Sequence, residues 1–196
     1  MRDIKRKELE KYINELKWIK KTIIDDSGKF VSVSTQDFEL NNGRIIRREQ
    51  ILKNKNDGSA VIIIPEVNDE YLVTIEPRVF TKKRIAVSFP AGYIEAGEKM
   101  EDSAIRELRE ETGYTSDSLV HLDSFYQDEG ISAAYNHVFL ANNCIKKYDQ
   151  HLDKDEVVRY MSFTYDELLE LEREGFISGA NCKLALLRLR DYKERR

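Results

Sequence analysis

Two hydrophobic patterns alternate along the chain, and together they predict a mixed α/β protein. Short runs rich in Val, Ile, Leu and aromatic residues predict β-strands. These runs cover 30–34, 38–40, 44–46, 60–65, 71–75, 85–89, 118–126, 136–141 and 156–163. Apolar residues spaced by three and four instead predict amphipathic helices at 3–21, 99–112, 164–172 and 178–193.

Turn and capping residues support these boundaries. Asn-Asn-Gly at 41–43 and Asn-Asp-Glu at 68–70 each separate two strand runs, which predicts two β-hairpins. The run 60–65 is apolar on both faces and predicts a central strand. Thr164 and Glu167 have the spacing of a capping box, which predicts the start of a helix.

Composition and charge limit the possible functions. The chain has 196 residues, 41% hydrophobic and 35% charged, enough for one sizeable globular core. Its net charge of −4 gives no general attraction to nucleic acid or to an anionic membrane. In the predicted N-terminal helix basic and acidic residues alternate, so we interpret them as a solvated face, with a nucleic-acid or membrane surface as the alternative.

The chain carries few signals of a particular location. No apolar run reaches the length of a signal peptide or a membrane span. Cys144 and Cys182 lack a CxxC spacing and a neighbouring histidine cluster, which predicts two idle thiols in a reducing compartment. We therefore expect a cytoplasmic protein.

The candidate chemistry is concentrated at 92–114, GYIEAGEKMEDSAIRELREETGY. The predicted helix ends before Gly113, which suits a left-handed C-cap. Within this helix Glu110 and Glu111 lie three and four positions after Glu107, so all three can project from one side. Like charges at this spacing cost about 0.2–0.5 kcal/mol per pair, and a hard divalent cation with oxygen ligands would offset that repulsion. The alternative is a solvated acidic face.

The spacing across this stretch resembles the box of the Nudix hydrolase family. Gly92 is followed after five residues by Glu98, and after seven more by the run Arg-Glu-Leu-Arg-Glu-Glu-Thr-Gly-Tyr at 106–114. Every required position of the box is filled. The resemblance implies an α/β/α sandwich around a mixed β-sheet. It also implies metal-dependent hydrolysis of a nucleoside diphosphate linked to another moiety, X.

Neighbouring segments are similar to the ADP-ribose pyrophosphatase branch of that family. FPAGYIEAGE at 89–98 matches its Leu-Pro-Ala-Gly-x-x-Glu-x-Gly-Glu segment, and Glu-Pro-Arg at 76–78 stands where it has Gln-Tyr-Arg. The chain departs from the branch where Ser88 replaces a frequent Glu. In the loop after the box, Glu129 and Ala134 replace a Pro and an acidic residue.

The expected substrate is ADP-ribose or another ADP-sugar, cleaved to AMP and a sugar phosphate. The departures keep nucleotide-sanitising and dinucleoside polyphosphate hydrolysis as alternatives, and a non-catalytic nucleotide-binding domain is the rival from another class. By the resemblance, 57–196 is the Nudix hydrolase domain. Residues 1–56 form an N-terminal helix and antiparallel β extension that in relatives helps to build a homodimer and the adenine pocket. We expect a homodimer that binds neither nucleic acid nor membrane.

The box match assigns expected roles at the metal and the scissile bond. Mg²⁺, with Mn²⁺ as an alternative, is expected to bind the Ala91 carbonyl and the carboxylates of Glu98, Glu107, Glu110 and Glu111. Arg106 is expected to hold those carboxylates in place.

Roles outside the helix are less constrained. The general base is expected to be Asp128 or Glu129, unless both are ordinary loop residues and Glu111 acts with a metal-bound water. Arg78 and Arg84 are candidates for phosphate contact, with solvated surface arginines as the alternative.

Overall fold

The computed structural model of the chain describes residues 3–16, 30–39, 45–53 and 56–195, and its centre is a mixed β-sheet. The elements in chain order are α1 (Asp3–Leu16), β1 (Val31–Glu39), β2 (Ile45–Lys53), β3 (Ala60–Val67), β4 (Glu70–Pro77), β5 (Ile85–Ser88), β6 (Ala91–Tyr93), α2 (Met100–Thr112), β7 (Tyr114–Thr115), β8 (Ser118–Tyr126), β9 (Tyr135–Asn142), β10 (Ile145–Lys146), β11 (Arg159–Phe163), α3 (Tyr165–Arg173) and α4 (Ala180–Glu194).

The main sheet runs in the order β11-β4-β3-β9-β8, with β5 paired to β4 and β6 paired to β3. Strands β3 and β9 are parallel, whereas the other pairs in this sheet are antiparallel. Residues 61–64 of β3 are at most 1% exposed, because both faces of this strand are covered. The central strand and the mixed sheet predicted from the sequence are confirmed.

Helices cover both faces of this sheet, which confirms the α/β/α architecture. On one face α2 packs through Ala104 and Leu108 against alternate residues of β3 and β9. The opposite face is covered by α1, α3 and α4, and the larger core lies there. That core includes Leu9, Ile62, Ile64, Val138, Leu168 and Leu189. No helix in the described ranges is long and apolar enough to cross a membrane.

Helix α1 lies on the body of its own chain. Leu9 is fully buried in the larger core. The ammonium of Lys5 donates to the carboxylates of Glu70 at 2.7 Å and Glu167 at 3.1 Å. The predicted helix continued to residue 21, and positions 17–21, including Trp18, lie outside the described residues.

Strands β1 and β2 form a separate antiparallel pair, in register from Val31 opposite Lys53 to Glu39 opposite Ile45. This pair confirms the first predicted hairpin, although the turn at 41–43 lies outside the described residues. Several apolar residues of this region are exposed to solvent by 46–65% of their surface. They are Phe30, Val31, Val33, Phe38 and Ile45.

Some predicted boundaries need correction. The run 156–163 was expected to be a strand throughout, but β11 begins only at Arg159. Residues 153–156 form a turn instead, because the Glu156 N–H donates to the Asp153 carbonyl at 2.9 Å. The sequence also missed β6, β7 and β10, since strands of two or three residues are too short to show a period.

Candidate active site

Helix α2 is fixed at its C-terminal end by a glycine and by the loop 147–158. Gly113 has φ of 76°, the left-handed conformation predicted for it. A Cβ at this position would also lie 2.1 Å from the Tyr148 carbonyl oxygen. The loop continues over the helix end, where the His151 N–H donates to the Glu110 carbonyl at 2.9 Å. The last turn of α2, which carries the carboxylates of Glu110 and Glu111, is therefore held in a fixed position.

Arg106 binds three of the box carboxylates. Its Nε and Nη2 atoms donate to the two carboxylate oxygens of Glu98, both at 2.9 Å. Its Nη1 atom donates to Glu107 at 2.6 Å and Glu110 at 3.1 Å. A further bond reaches the Tyr93 carbonyl at 3.0 Å. One guanidinium thus ties the loop before the helix to two successive turns of α2.

This arrangement shifts the pKa values of the ion pair in opposite directions. The hydrogen bonds from Arg106 lower the pKa of Glu98 to about 2. The hydrogen bonds that Arg106 donates to Glu98 and Glu107 raise the pKa of Arg106, so that the guanidinium stays charged. Glu107 behaves differently, because its burial raises its pKa more than the neighbouring arginine lowers it.

Glu111 lies at the strand side of the helix. Its Oε2 atom accepts a hydrogen bond from the Ala91 N–H at 3.3 Å. Burial raises the pKa of Glu111 well above its ordinary value, and the charges of Glu76 and Glu107 raise it further. A carboxylate under this repulsion would be stabilised by a nearby cation.

Gly92 brings the helix and the strand together. It pairs with Val61 within β6 and β3. A Cβ on Gly92 would lie only 1.9–2.2 Å from the carboxyl atoms of Glu107. Any other residue at this position would displace the Glu107 carboxylate from its place against the backbone.

The structure adds two carboxylates that the sequence analysis did not assign to the site. Glu76 lies on β4, and its negative charge raises the pKa of Glu111. Glu156 lies in the loop 147–158, and its charge raises the pKa values of Glu76, Glu107 and Glu111. Glu76 belongs to the segment 76–78 that is similar to the related branch, but that similarity gave it no role. No sequence signal marked Glu156, because its position depends on an irregular loop.

The two candidate phosphate-binding arginines share the turn between β4 and β5. The Arg78 guanidinium donates to Glu76 at 2.8 Å while remaining 57% exposed. The Arg78 N–H donates to the Arg84 carbonyl at 2.9 Å, and Arg84 has φ of 60°. Arg78 is therefore paired with Glu76, whose charge raises the pKa of Glu111.

Asp128 and Glu129 are exposed in the loop between β8 and β9. The loop is tied to the N-terminal hairpin, because the Ile51 N–H donates to the Ile131 carbonyl at 2.8 Å. Ala134, at the position where the related branch has an acid, is fully buried.

The donor set suits a hard divalent cation. Across the described part of the chain, no three histidine, cysteine, aspartate or glutamate side chains converge as a complete metal cage. Mg²⁺ is typically bound by one or two carboxylates together with substrate phosphates, and such a site needs no complete cage. The crowded, desolvated oxygens of Glu107 and Glu111 match that preference.

Comparisons with known proteins agree on one family. The family model described as NUDIX domain matches residues 56–180. An ADP-ribose pyrophosphatase of Bacillus subtilis (strain 168) is 33% identical over 161 residues, which cover 82% of this chain and 85% of the relative. A methanol dehydrogenase activator of Bacillus methanolicus matches with the same identity and coverage. The crystal structure of an ADP compounds hydrolase has the same fold, with a TM-score of 0.73 at 21% identity over 89% of this chain and 91% of that chain.

Proposed function

The chain belongs to the Nudix family and is a Nudix hydrolase, and we propose that it cleaves ADP-ribose or another ADP-sugar to AMP and a sugar phosphate. The observation that carries the proposal is the placement of Glu107 against Gly92 and of Glu111 against Ala91. This placement brings two helix carboxylates against β6, the strand at which the box begins. The relative that is an ADP-ribose pyrophosphatase supports the choice of substrate.

The proposed cofactor is Mg²⁺, with Mn²⁺ as an alternative. Glu107 and Glu111 would hold it, with the Ala91 carbonyl as a further oxygen ligand and with Glu98 and Glu110 nearby. When bound, the ion supplies charge neutralisation at the diphosphate and lowers the pKa of a bound water.

The protein's own residues supply order and charge. Arg106 prevents Glu98, Glu107 and Glu110 from separating under their mutual repulsion. Arg78 and Arg84 present positive charge at one turn, where we propose that they contact the phosphates. For the proton of the attacking water, Asp128, Glu129 and Glu111 remain the proposed acceptors.

Two further proposals concern the whole protein. We propose a homodimer formed through the exposed apolar surface of the β1–β2 hairpin, since a surface of this kind commonly marks an interaction site. We also propose a cytoplasmic location, supported by two cysteines that are both free and buried.

A substrate screen tests the proposed function. The purified protein would be incubated with ADP-ribose, other ADP-sugars, dinucleoside polyphosphates and oxidised nucleoside triphosphates, each with Mg²⁺ and with EDTA. We expect ADP-ribose or another ADP-sugar to give the highest kcat/KM, with AMP as a product, and EDTA to abolish turnover. Preference for another group would replace the proposed substrate, and inactivity towards all of them would favour a non-catalytic nucleotide-binding domain.

A further inference from the structure

The main-chain carbonyls at the C-terminal end of α2 are all bonded to groups beyond the helix. The last four carbonyls of an α-helix have no partner within it and need donors from elsewhere. The four carbonyls of α2 and their donors are Arg109 with the Gly113 N–H at 2.8 Å, Glu110 with the His151 N–H at 2.9 Å, Glu111 with the Gln150 side-chain amide at 2.5 Å, and Thr112 with the Lys146 ammonium at 3.3 Å. Residues 146–151 therefore hold the end of α2 at which Glu110 and Glu111 lie.

Gln150 joins this helix end to the main sheet. Its half-buried side-chain amide donates to the Glu111 carbonyl and also, at 3.4 Å, to the Val158 carbonyl. Val158 is 6% exposed and immediately precedes β11, which pairs with β4. One amide group thus fastens the main chain of Glu111 to the segment that leads into the sheet.

Glu111 is held at its side chain and at its main chain. Its carboxylate accepts from the Ala91 N–H at 3.3 Å, a long hydrogen bond that by itself would leave the side chain loosely placed. Its carbonyl accepts from Gln150. Helix ends fray when their carbonyls lose their partners, so loss of the Gln150 amide would loosen the turn that carries the carboxylate. The placement of the Glu111 carboxylate therefore depends on a residue 39 positions later in the chain.

We propose that Gln150 is a positioning residue for Glu111, which fixes the last turn of α2 so that the carboxylate stays beside Ala91. The inference rests on the proposed function, because it takes Glu111 as a metal ligand. Its rival is a purely structural role, in which the Gln150 amide stabilises the helix end without any effect on metal binding or turnover.

Two variants of Gln150 and one control separate these roles. Gln150→Met keeps the length of the side chain but removes the donor. Gln150→Asn keeps the amide on a side chain that is shorter by one methylene. Ser116→Ala is the matched control, because the Ser116 hydroxyl also bridges two main-chain carbonyls, those of Asn142 at 2.6 Å and Ser118 at 3.2 Å. These two carbonyls belong to β8 and β9 instead of α2.

The first measurement is kinetic and uses ADP-ribose, or the substrate that the screen ranks first, in saturating Mg²⁺. We expect Gln150→Met to lose about 10-fold or more in kcat, as for other residues that orient metal ligands. KM should change little, because the groups that contact the substrate are intact. Gln150→Asn should lie between the wild type and Gln150→Met, and Ser116→Ala should keep the wild-type kcat.

Two measurements need no substrate. Mn²⁺ binding, followed by calorimetry, should weaken by about 10-fold or more in Gln150→Met and stay unchanged in Ser116→Ala. Amide hydrogen exchange over 107–113, followed by mass spectrometry in EDTA, should be faster in Gln150→Met than in the wild type or Ser116→Ala. Urea unfolding should show that both substitutions lower stability, since each leaves two carbonyls without a donor.

The control keeps positioning separate from stability. If kcat and Mn²⁺ affinity of Gln150→Met equal those of Ser116→Ala, the inference is overturned and Gln150 has only a structural role, while wild-type turnover leaves the proposed function intact. If Gln150→Met does not fold, wild-type kcat and Mn²⁺ affinity in Gln150→Asn would overturn the inference instead. A wild type that neither binds Mn²⁺ nor hydrolyses any of the screened compounds would refute the proposed function itself, and with it the role of Gln150 in the reaction.

Discussion

Gly92 and Arg106 occupy the site for opposite physical reasons. Gly92 matters because it has no side chain, so that the Glu107 carboxyl can lie against the backbone. Arg106 matters because its guanidinium carries many donors in a fixed plane and can bind Glu98 with two parallel hydrogen bonds. Both requirements follow from the spacing of the box, which fixes how far the helix carboxylates lie from the preceding strand.

Replacing Gly92 by alanine tests the close approach. The new Cβ would force the Glu107 carboxyl to move, because the two would otherwise lie within about 2 Å. A displacement of about 1 Å in an active site can cost roughly 10²-fold in rate. We expect kcat/KM of Gly92→Ala to fall by at least this factor. Gly179→Ala is the control, because its Cβ would meet nothing within 4 Å, and equal activity of the two variants would contradict the argument.

The pKa of Glu111 predicts a pH dependence of stability. Because this pKa is raised above the ordinary 4.5, the folded protein holds a proton that the unfolded chain releases. The contribution of Glu111 to the free energy of unfolding therefore falls as the pH rises above 4.5, by at most about 1.4 kcal/mol per pH unit.

Glu111→Gln removes this titration. In EDTA, the wild type should lose stability relative to Glu111→Gln as the pH is raised from 5 to 8, and urea unfolding at each pH would measure the difference. Added Mg²⁺ should stabilise the wild type more than the variant. A difference that is independent of pH in EDTA would show that Glu111 titrates normally.

At the scale of elements, the sequence predicted those helices whose position and ends are set by residues close together in the chain. Helix α2 follows from its periodicity and its C-terminal glycine, and α3 follows from the capping box that Thr164 and Glu167 form. The positions of Glu76 and Glu156 beside the helix could not be predicted in this way. They depend on the pairing of β4 with β5 and on the folding of an irregular loop over the helix end, and such contacts leave no period in the sequence.

The loop between β8 and β9 carries an element-scale prediction about the general base. Removing a general base typically costs about 10²–10⁴ in rate, whereas removing a solvated charge costs almost nothing. If the loop supplies the base, one of Asp128→Asn and Glu129→Gln should lose kcat much more than it raises KM, and the other should be mild. Steady-state kinetics of both variants and of the double variant measures this. Full activity of all three variants would show that the loop carries no base. A metal-bound water and Glu111 would then have to account for the proton transfer.

At the scale of the whole molecule, the fold class could be predicted but the central pairing could not. The apolar run at 60–65 identified a central strand, yet nothing in its pattern indicated that β3 pairs in parallel with β9, with Val61 opposite His137. That pairing joins segments far apart in the chain, and a family resemblance supplies such information where periodicity does not.

The exposed apolar residues of the hairpin predict self-association. We expect a homodimer at micromolar concentration, measured by sedimentation equilibrium. Val33→Glu should shift the equilibrium towards the monomer, because Val33 is 62% exposed and the change places a charge in the proposed interface. Ile145→Glu is a suitable control, because Ile145 is 52% exposed on β10, outside the N-terminal extension that carries the proposed interface. A wild-type monomer would contradict the proposed assembly.

The most direct test of metal-dependent hydrolysis by the helix carboxylates compares the wild type with Glu111→Gln. Turnover of ADP-ribose would be followed as release of AMP, over a range of Mg²⁺ concentrations and with folding checked by thermal unfolding. The wild type should require Mg²⁺, and Glu111→Gln should lose several orders of magnitude in kcat while remaining folded. Near-wild-type turnover by Glu111→Gln in saturating Mg²⁺ would contradict the assignment of this glutamate to the metal.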